Sequence, residues 1–442
     1  MSPTAYRSER HSVGSPGATR RDGPSGATRL LLAVGSDGRS ASLADHLAQW
    51  GPLRHWRAST LVDELDHSGL RGHGGAWFPV ATKWRAVQAT GGRRPVVVAN
   101  GAEGEPASGK DRFLIRSRPH LVLDGAAAAA STLRASRVVV HVPSDAVGSM
   151  NRAVAERRRM DLDPCPVDIV VAPDRFLAGQ ESAVVNTING RNVATPSFVG
   201  IRPVRERGVG GRPTLVQNVE TLAHVALVAR FGHEWFRSVG TPGSPGTALL
   251  TVTGRWPAPR IVEAPLGSTL GAVLGLDRRD LGSVQGVLLG GYGGGWVTPT
   301  EAAGTPLADE ALRTLGSSLG AGVVVLLPAG TCPLAEVARV VRYLDGEGAG
   351  QCGPCLNGLA ALTSGVDQLA FRPAELRGSV AGIEAVCGLV EGRGACRHPD
   401  GAARFVRTSL RVFDAHVALH LRHGACAPTR PMLPIPAPRG YA

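Results

Sequence analysis

A glycine-rich stretch, SGLRGHGGAWFPVATKW at residues 68–84, places three closely spaced glycines ahead of a lysine. Gly72, Gly74 and Gly75 lack side chains, so their backbone can adopt positive φ and their N–H groups can approach a bound anion. Lys83 is one of only two lysines among 48 Lys plus Arg, which favours a site that requires a compact ammonium. The stretch predicts a phosphate-binding loop, with a tight structural turn as the alternative.

A second stretch, VVVANGAEGEPASGKDR, follows a predicted strand and contains the other lysine. It brings Asn100, Glu103, Glu105, Lys110 and Asp111 into a short interval. Polar groups at the carboxyl end of a strand commonly line the ligand crevice of an α/β sheet. We therefore expect this stretch to face the same ligand as the glycine loop.

The seven cysteines are an odd number and are concentrated late in the chain, which favours metal or redox use over a disulfide framework. The tetrapeptide CGPC, residues 352–355, equals a thioredoxin-type redox motif, but such a motif follows a strand, whereas LAEVARVVRYLDG upstream has helical periodicity. In HVALH, His416 and His420 lie on one face of a predicted helix, where they could bind a metal. For this pair we expect a solvated helix face instead.

Composition restricts the class of protein. The chain has 442 residues, 43% of them apolar and 19% charged, with 58 glycines and 32 prolines, which is typical of a loop-rich globular protein. The net charge of +12 is spread over scattered arginines with few aromatic residues, so we predict no nucleic-acid partner; docking to an acidic electron carrier is the functional alternative to a plain solvated surface. No apolar run suits a membrane span and residues 1–29 lack a secretory signal, so we expect no direct membrane insertion and a cytoplasmic location.

Periodicity divides the chain into five parts. Residues 1–29 are predicted to be a flexible tail, and residues 30–240 alternate short apolar runs with helical stretches, which is typical of an α/β domain. Residues 245–328 are predicted to form short strands around a helix, a small α+β domain. Residues 330–426 have helical periodicity, and the proline-rich residues 427–442 are predicted to be a second tail.

Six stretches together make the sequence resemble a known family. GLRGHGGAWFPVATKW, NGAEGEPASGKDR, PHLVLDG, GQESAVVNTINGR, GRPTLVQNVETL and GQCGPCLNGL occur in the order and approximate spacing of the flavoprotein subunit of NADH-quinone oxidoreductase, the NADH-oxidising end of respiratory complex I. The likeness extends from Ser68 to Phe413. It implies an α/β domain that binds FMN and NADH, then a β-grasp domain of the soluble-ligand-binding type, then a helical iron–sulfur domain.

The resemblance also implies site residues. In that family the glycine loop and its lysine hold the FMN phosphate, residues after the first strand contact the ribityl chain and ring, and further residues face the nicotinamide nucleotide or hold the flavin from a helix start. The matching cofactor-binding positions here are Gly72, Gly74, Gly75, Phe78, Lys83, Asn100, Glu103, Glu105, Gly179, Glu181, Asn218 and Thr221. The implied activity is that of an NADH dehydrogenase-like oxidoreductase, in which hydride passes from NAD(P)H to FMN and single electrons pass to an iron–sulfur cluster and a partner carrier.

The nucleotide motifs depart from the family pattern at five positions. They are His73 for an arginine, Trp77 for a glycine, Ala102 for an aspartate, Gln180 for a glutamate and Gln217 for an asparagine. Trp77 could crowd the nucleotide, so the resemblance supports FMN binding more strongly than NADH binding.

The iron–sulfur motif departs as well. The family holds a 4Fe-4S cluster with a Cys-x-x-Cys-x-x-Cys run and a later cysteine, but Ala349 stands at the first ligand position here. Cys352, Cys355 and Cys396 remain. The resemblance therefore implies a 4Fe-4S cluster or a three-cysteine variant, with Cys332 or Cys387 as candidates for a fourth ligand.

Two other functions stay open at this point. His73 and Trp77 at the nucleotide face favour a flavoprotein that exchanges electrons with a ferredoxin-like partner, and the accumulated departures permit a non-catalytic scaffold subunit of a redox complex. The sequence does not choose between NADH and NADPH or name the partner subunits and the final acceptor.

Overall fold

The computed structural model describes residues 28–32, 40–53, 58–191, 202–254, 258–276, 278–376 and 379–436, together with residues 26, 56, 196 and 256. The strands are β1 (Val96–Asn100), β2 (Arg137–Val142), β3 (Val167–Val171), β4 (Thr214–Asn218), β5 (Thr247–Thr253), β6 (Arg260–Pro265), β7 (Val284–Leu289), β8 (Gly295–Val297) and β9 (Val323–Pro328). The helices up to the second sheet are α1 (Leu43–Trp50), α2 (Ala58–Ser68), α3 (Val80–Gln88), α4 (Lys110–Ser117), α5 (Pro119–Leu133), α6 (Val147–Arg159), α7 (Glu181–Ile188) and α8 (Val219–Arg237). The later helices are α9 (Leu270–Leu274), α10 (Arg278–Gly282), α11 (Pro299–Gly304), α12 (Asp309–Thr314), α13 (Pro333–Gly346), α14 (Ala360–Phe371), α15 (Val380–Val390), α16 (His398–Val412) and α17 (Asp414–His423).

The first sheet is parallel and has the strand order β3-β2-β1-β4. Its strands are short valine-rich runs, and Val96, Val97 and Val98 are fully buried because helices cover the sheet. The chain moves outward from β1 to β2 and β3 and then returns to place β4 on the other side of β1. This reversal brings Asn100 and Asn218 into register at the carboxyl ends of β1 and β4, where α/β sheets form their ligand crevice. The parallel α/β unit predicted from the sequence is confirmed.

Helices α5 and α8 pack closely over this sheet. A Cβ atom added at Gly125 of α5 would lie 1.9 Å from the carbonyl oxygen of Leu222 in α8. The residues that follow Gly125 in α5 are a run of alanines, all buried, so small side chains let the two backbones approach. This contact fixes the start of α8, which carries several residues of the site described below.

The second sheet has the order β6-β5-β9-β7-β8. Strand β5 pairs with β6 and β7 pairs with both β8 and β9 in antiparallel fashion, whereas β5 and β9 are parallel. Apolar residues on one face, including Leu250, Val252 and Leu326, form a core of their own.

Helices α13 to α17 form a third core, and the helical C-terminal region predicted from the sequence is confirmed. Trp296 of β8 packs against Phe405 of α16 with ring centroids 6.0 Å apart, so the second sheet is attached to the helices.

Residues 427–436 correct a prediction, because this proline-rich segment packs on the helical region instead of forming a tail. Leu433 is 2% exposed, and its N–H donates to the Glu336 carboxylate over 2.8 Å. The phenol of Tyr292 donates to the carbonyl of Pro434 over 2.6 Å. The segment has no helical or strand periodicity, so only these contacts with distant residues hold it. Residues 437–442 lie outside the described residues.

Most of the predicted N-terminal tail, residues 1–25, also lies outside the described residues. Its last residue, Arg29, is 1% exposed, and its guanidinium donates to the carbonyl of Phe236 over 2.9 Å. The boundary of the folded chain therefore precedes Arg29. Among the described residues, no helix has both the length and the hydropathy needed to span a membrane.

Gly125 provides a test of the α5–α8 contact. We expect Gly125→Ala to destabilise the protein by about 1 to 3 kcal/mol, since the added methyl group would overlap the backbone of Leu222. Urea unfolding followed by circular dichroism measures the change. Gly148→Ala on α6 is the matched control: its Cβ would meet only the end of the Arg152 side chain at 3.8 Å, so it should be neutral or stabilising by up to about 1 kcal/mol. Equal effects of the two substitutions would contradict the close contact.

Candidate functional site

A cavity of about 900 Å³ lies where the first sheet, the second sheet and the helical region meet. All three parts contribute to its wall. The residues that matter most below are Gly74, Gly75, Asn100, Glu103, Glu105, Gly179 and Asn218 from the first part, Tyr292 and Gly293 from the second, and Cys396 and Arg404 from the third. A cavity of this size accommodates one or more ligands of nucleotide size.

The glycine loop enters the cavity with a fixed start. The N–H of Gly72 donates to the carbonyl of Phe78 over 2.9 Å, and the N–H of His73 donates to the hydroxyl of Thr221 over 2.9 Å. Gly75 has φ 103°, and open space surrounds the position of its missing Cβ. In the part of the chain that the structure describes, the N–H groups of Gly74 and Gly75 have no protein acceptor. Two free N–H groups on a glycine loop at a cavity wall form an anion-binding concavity.

The Glu220 carboxylate joins this loop to two other parts of the fold. Its Oε1 lies 2.6 Å from Nδ1 of His73, its Oε2 lies 2.7 Å from Nζ of Lys110, and Oε1 also accepts the N–H of Leu249 in β5 over 2.8 Å. Glu220 is fully buried. Burial alone would raise its pKa, but Lys110 and His73 hold the pKa of Glu220 well below its ordinary value. The group is therefore a permanent buried anion that fixes the loop, α4 and the second sheet relative to one another.

Asn218 continues this network at the start of α8. Its side-chain oxygen accepts the N–H groups of Glu220 and Thr221 over 3.0 and 3.3 Å, which caps the helix. Its amide donates to Asp111 over 2.7 Å, and Asp111 lies 2.8 Å from Lys110. The end of β4 is thereby tied to the start of α4.

The residues after β1 also position one another. The Asn100 amide donates to the carbonyl of Gly179 over 2.9 Å. The Glu103 carboxylate accepts the N–H groups of Asp111 and Arg112, each over 3.0 Å. Glu103 thus caps the start of α4 as well as lining the cavity.

Glu105 is the carboxylate with a perturbed pKa in this wall. Burial raises the pKa of Glu105 to about 7, although the N–H groups of Tyr292 and Ala107 stabilise its charged form. The Tyr292 N–H donates to it over 2.8 Å. This contact joins the first part of the chain to the second sheet, and it leaves a carboxyl group that can change its charge near neutral pH.

Five of the predicted cofactor residues lie outside the cavity wall: Gly72, Phe78, Lys83, Glu181 and Thr221. Nζ of Lys83 donates to the carbonyl of Val216 over 2.7 Å and lies 2.8 Å from Glu181 at the start of α7. Phe78 is 51% exposed, and Thr221 is fully buried beneath the loop.

Trp77 does not crowd the cavity. It has φ 50°, in the left-handed region that suits glycine, and its side chain packs into the core of the second sheet at 4% exposure. Its ring lies 4.6 Å from that of His73. Among the other departures, Gln180 caps α7 through Ala183, and Gln217 is buried with a side-chain oxygen that has no hydrogen-bond partner among the described residues.

The cysteines fall into separate places. The Cys355 thiol is close to Cys352 and Cys396: burial, Cys352 and Cys396 raise its pKa to about 11. A π-helical turn, Pro354–Leu359, carries Cys355 beside the helical core, and Cys396 opens onto the large cavity. Cys387 is buried in α15 near Arg407 and Glu391, and Cys332 lies beside His420 and Cys426. The structure therefore brings together three of the predicted cluster ligands and places neither candidate fourth ligand with them.

His420 differs from the expectation of a solvated helix face, because it is fully buried. Its Nδ1 lies 3.1 Å from the carbonyl of Leu369 in α14. His416 is partly exposed and lies one turn earlier, with ring centroids 5.2 Å apart. The apolar pattern of α17 did not predict that α14 would cover this face.

Glu220 is the residue that sequence reasoning missed. It stands inside the QNVET stretch, where the resemblance singles out only Asn218 and Thr221. The scarcity of lysine was the available signal, because a buried Lys110 requires a buried acid and the other acids nearby, Asp111 and Glu103, have further partners.

Comparison with known sequences decides the family. The pattern of the Nuo51 FMN-binding domain matches residues 65–227, and that of the NADH-ubiquinone oxidoreductase-F iron-sulfur binding region matches residues 335–420. The NADH-quinone oxidoreductase-F protein of Mycobacterium bovis (strain ATCC BAA-935 / AF2122/97) is 30% identical over 397 residues, which cover 83% of this chain and 85% of that protein. The chain belongs to the NADH-quinone oxidoreductase-F family. A second member, from Rhizobium meliloti (strain 1021), is 27% identical over 394 residues, covering 85% of this chain and 91% of that protein. The resemblance seen in the sequence is confirmed.

A solved relative of the oxidoreductase-F family has the same overall fold. The air-oxidized NAD+-reducing NiFe hydrogenase contains a chain with a TM-score of 0.73 and 27% identity, and the likeness covers 90% of this chain and 69% of that one. The H2-reduced form of that enzyme gives the same TM-score of 0.73 at 25% identity.

The two lysines provide a test of the buried network. We expect Lys110→Met to destabilise the protein by about 3 to 5 kcal/mol, since it leaves the buried carboxylates of Glu220 and Asp111 without their cation. Lys83→Met is the matched control, because its pair with Glu181 is half-exposed and should cost less than about 1 kcal/mol. Denaturant unfolding of both variants measures the difference. Losses of equal size would show that Lys110 does not neutralise the buried carboxylates.

Glu105 provides a pH test. Its pKa is raised from 4.5 to about 7 in the folded chain, so between these pH values the folded chain holds a proton that the unfolded chain has lost. The favourable contribution of neutral Glu105 is complete below pH 4.5 and is lost as the pH rises through 7. We expect Glu105→Gln, which stays neutral, to become more stable than the wild type by about 1 to 3 kcal/mol on going from pH 5 to pH 8. Denaturation midpoints at both pH values test this; a constant difference would contradict it.

Proposed function

We propose that this chain oxidises NADH through bound FMN and passes the electrons singly to an iron–sulfur cluster, as a redox subunit. One observation carries the proposal. A single cavity is lined both by the glycine loop of the FMN-binding region and by Cys396 of the iron–sulfur region. A flavin in this cavity would therefore lie between its electron donor and its electron acceptor.

The cavity residues fit FMN. The free N–H groups of Gly74 and Gly75 suit a phosphate, and the space beside Gly75 leaves room for it. Lys83 lies behind this wall with Glu181, and we propose that it supplies positive charge to the phosphate from there. Asn100 and Gly179, joined by a hydrogen bond, would line the path of the ribityl chain.

NADH requires a second place in the same cavity. Bound FMN supplies the chemistry, because it accepts a hydride from NADH and releases electrons one at a time. Glu105 and Arg404 line the wall formed by the second sheet and the helices. We propose that Glu105 orients the nicotinamide nucleotide and that Trp77, turned into the core, leaves this place open.

The thiols fit a cluster with three protein ligands. Cys352, Cys355 and Cys396 interact with one another, and neither Cys332 nor Cys387 joins them. We propose that these three thiolates hold the cluster and that one iron takes a ligand other than cysteine. The position of Ala349, beside Gly348 and Gly350, leaves no side chain to block that iron.

The division of labour among domains follows the sheets. We propose that residues 30–240 bind FMN and NADH, that residues 245–328 form a β-grasp domain, and that residues 330–426 bind the cluster. A mixed sheet with the order β6-β5-β9-β7-β8 and β5 parallel to β9 supports the second assignment. The curated relatives are named as subunits of NADH-quinone oxidoreductases, so we propose that further redox subunits receive the electrons.

The test is an anaerobic absorbance experiment on the purified chain. We expect the protein to bind FMN and NADH to bleach the flavin within seconds. Lys83→Ala should weaken FMN binding by about 1 to 3 kcal/mol, the contribution of a charge-assisted hydrogen bond. The matched control is Arg93→Ala, an arginine on the far surface near Gly210, which should bind FMN like the wild type.

Two outcomes would overturn the proposal. Protein that takes up no FMN on titration would remove the flavin and leave a scaffold subunit. Flavin that reduced ferredoxin bleaches and NADH does not would replace the donor. Iron analysis completes the assay: Cys355→Ser should lose the cluster iron, whereas Cys165→Ser, remote from the other thiols, should keep it.

A further inference from the structure

A second group of metal-ligating side chains lies at the end of the helical region. Cys332 stands at the start of α13, His416 and His420 lie one turn apart on α17, and Cys426 follows that helix. One ligand atom from each of the four lies within 4.8 Å of every other. None of these residues belongs to the three-thiol group at Cys352, Cys355 and Cys396.

The distances match a tetrahedral ion. Nε2 of His420 lies 3.6 Å from Sγ of Cys332 and 3.2 Å from Sγ of Cys426, and Nε2 of His416 lies 3.2 Å from the Cys426 sulfur. Zinc bonds of about 2.0 Å to nitrogen and 2.3 Å to sulfur in tetrahedral geometry place neighbouring ligand atoms roughly 3.3 to 3.8 Å apart. The four side chains thus surround a position of the right size with no large movement.

Hydrogen bonding alone does not explain the arrangement at His420. Its Nδ1 faces the carbonyl of Leu369 over 3.1 Å and must donate to it, which leaves one lone pair on Nε2. Around that nitrogen lie the sulfurs of Cys332 and Cys426 and the N–H of Cys426 at 3.3 Å. One lone pair accepts one of these well. A carbonyl on Nδ1 with Nε2 directed at thiols is the usual second-sphere arrangement of a metal-bound histidine.

We infer that Cys332, His416, His420 and Cys426 form a structural zinc site. Two thiolates neutralise the dication, so the site is neutral, which suits the full burial of His420 and the near-complete burial of Cys332. Two sulfur and two nitrogen ligands in tetrahedral array select zinc among the common divalent ions. Four protein ligands leave no open position, so the ion stabilises structure and catalyses nothing.

The site ties together segments that are distant in the sequence. Cys332 begins the helical region and Cys426 precedes the segment that packs on Glu336, and the N–H of Cys332 also donates to the Thr429 hydroxyl over 3.4 Å. The ion would therefore fasten α17 and the C-terminal segment to the start of α13. The proposal does not depend on the proposed redox function, because the two metals have separate ligands.

Metal analysis of the full-length protein tests this inference. We expect about one zinc per chain, counted separately from iron, and X-ray absorption at the zinc edge with two sulfur neighbours at about 2.3 Å and two nitrogen neighbours at about 2.0 Å. Cobalt(II) added to protein freed of zinc should give the visible bands of a tetrahedral site with two thiolates.

Matched variants separate the two metal sites. Cys332→Ser and His416→Ala should lower the zinc content at least tenfold while iron is retained, whereas Cys355→Ser should lose iron and keep zinc. Cys387→Ser, a buried thiol outside both groups, should keep both metals. If His416→Ala fails to fold, the wild-type metal count still decides the matter. Zinc at background level, or a disulfide between Cys332 and Cys426 found by mass spectrometry, would overturn the proposal.

Discussion

The buried carboxylate of Glu220 is the interaction on which the site depends. A fully buried anion is expensive unless charges and donors surround it closely. Glu220 has Lys110 at 2.7 Å, His73 at 2.6 Å and the N–H of Leu249 at 2.8 Å. These partners come from α4, the glycine loop and the second sheet. The cost of leaving any of them unpaired therefore fixes three parts of the fold relative to one another.

This constraint explains why the cavity lies between the parts of the chain and not within one of them. The parallel sheet offers its strand ends at Asn100 and Asn218, but those ends alone would form an open edge. The second sheet closes one side through the contact between Glu105 and Tyr292, and the helical region closes another with Cys396. A flavin at this junction can face a nucleotide and a metal cluster at once, which suits an enzyme that divides an electron pair between carriers.

The helical region separates its thiols by burial and by neighbours. Cys352, Cys355 and Cys396 lie on the cavity side, whereas Cys332 and Cys426 lie with two histidines at the opposite end of α13 and α17. The nature of each group follows from its partners, since sulfur alone suits an iron–sulfur cluster and mixed sulfur and imidazole suits zinc. The number of cysteines by itself did not indicate two sites.

The sequence by itself determined the local chemistry. Glycine spacing, the scarcity of lysine, polar residues after valine-rich strands and the Cys-x-x-Cys run each depend on neighbours along the chain, and periodicity predicted both the parallel sheet and the helical C-terminal region. Only the tertiary structure decided the partners across long separations. It paired Lys110 with Glu220, turned Trp77 into a core, brought Cys332 to His420 instead of to the cluster thiols, and packed the segment around Leu433 on Glu336. The reason is physical: a residue's type and neighbours fix what it can bind, whereas its actual partner depends on how distant segments pack, and burial then makes that choice binding.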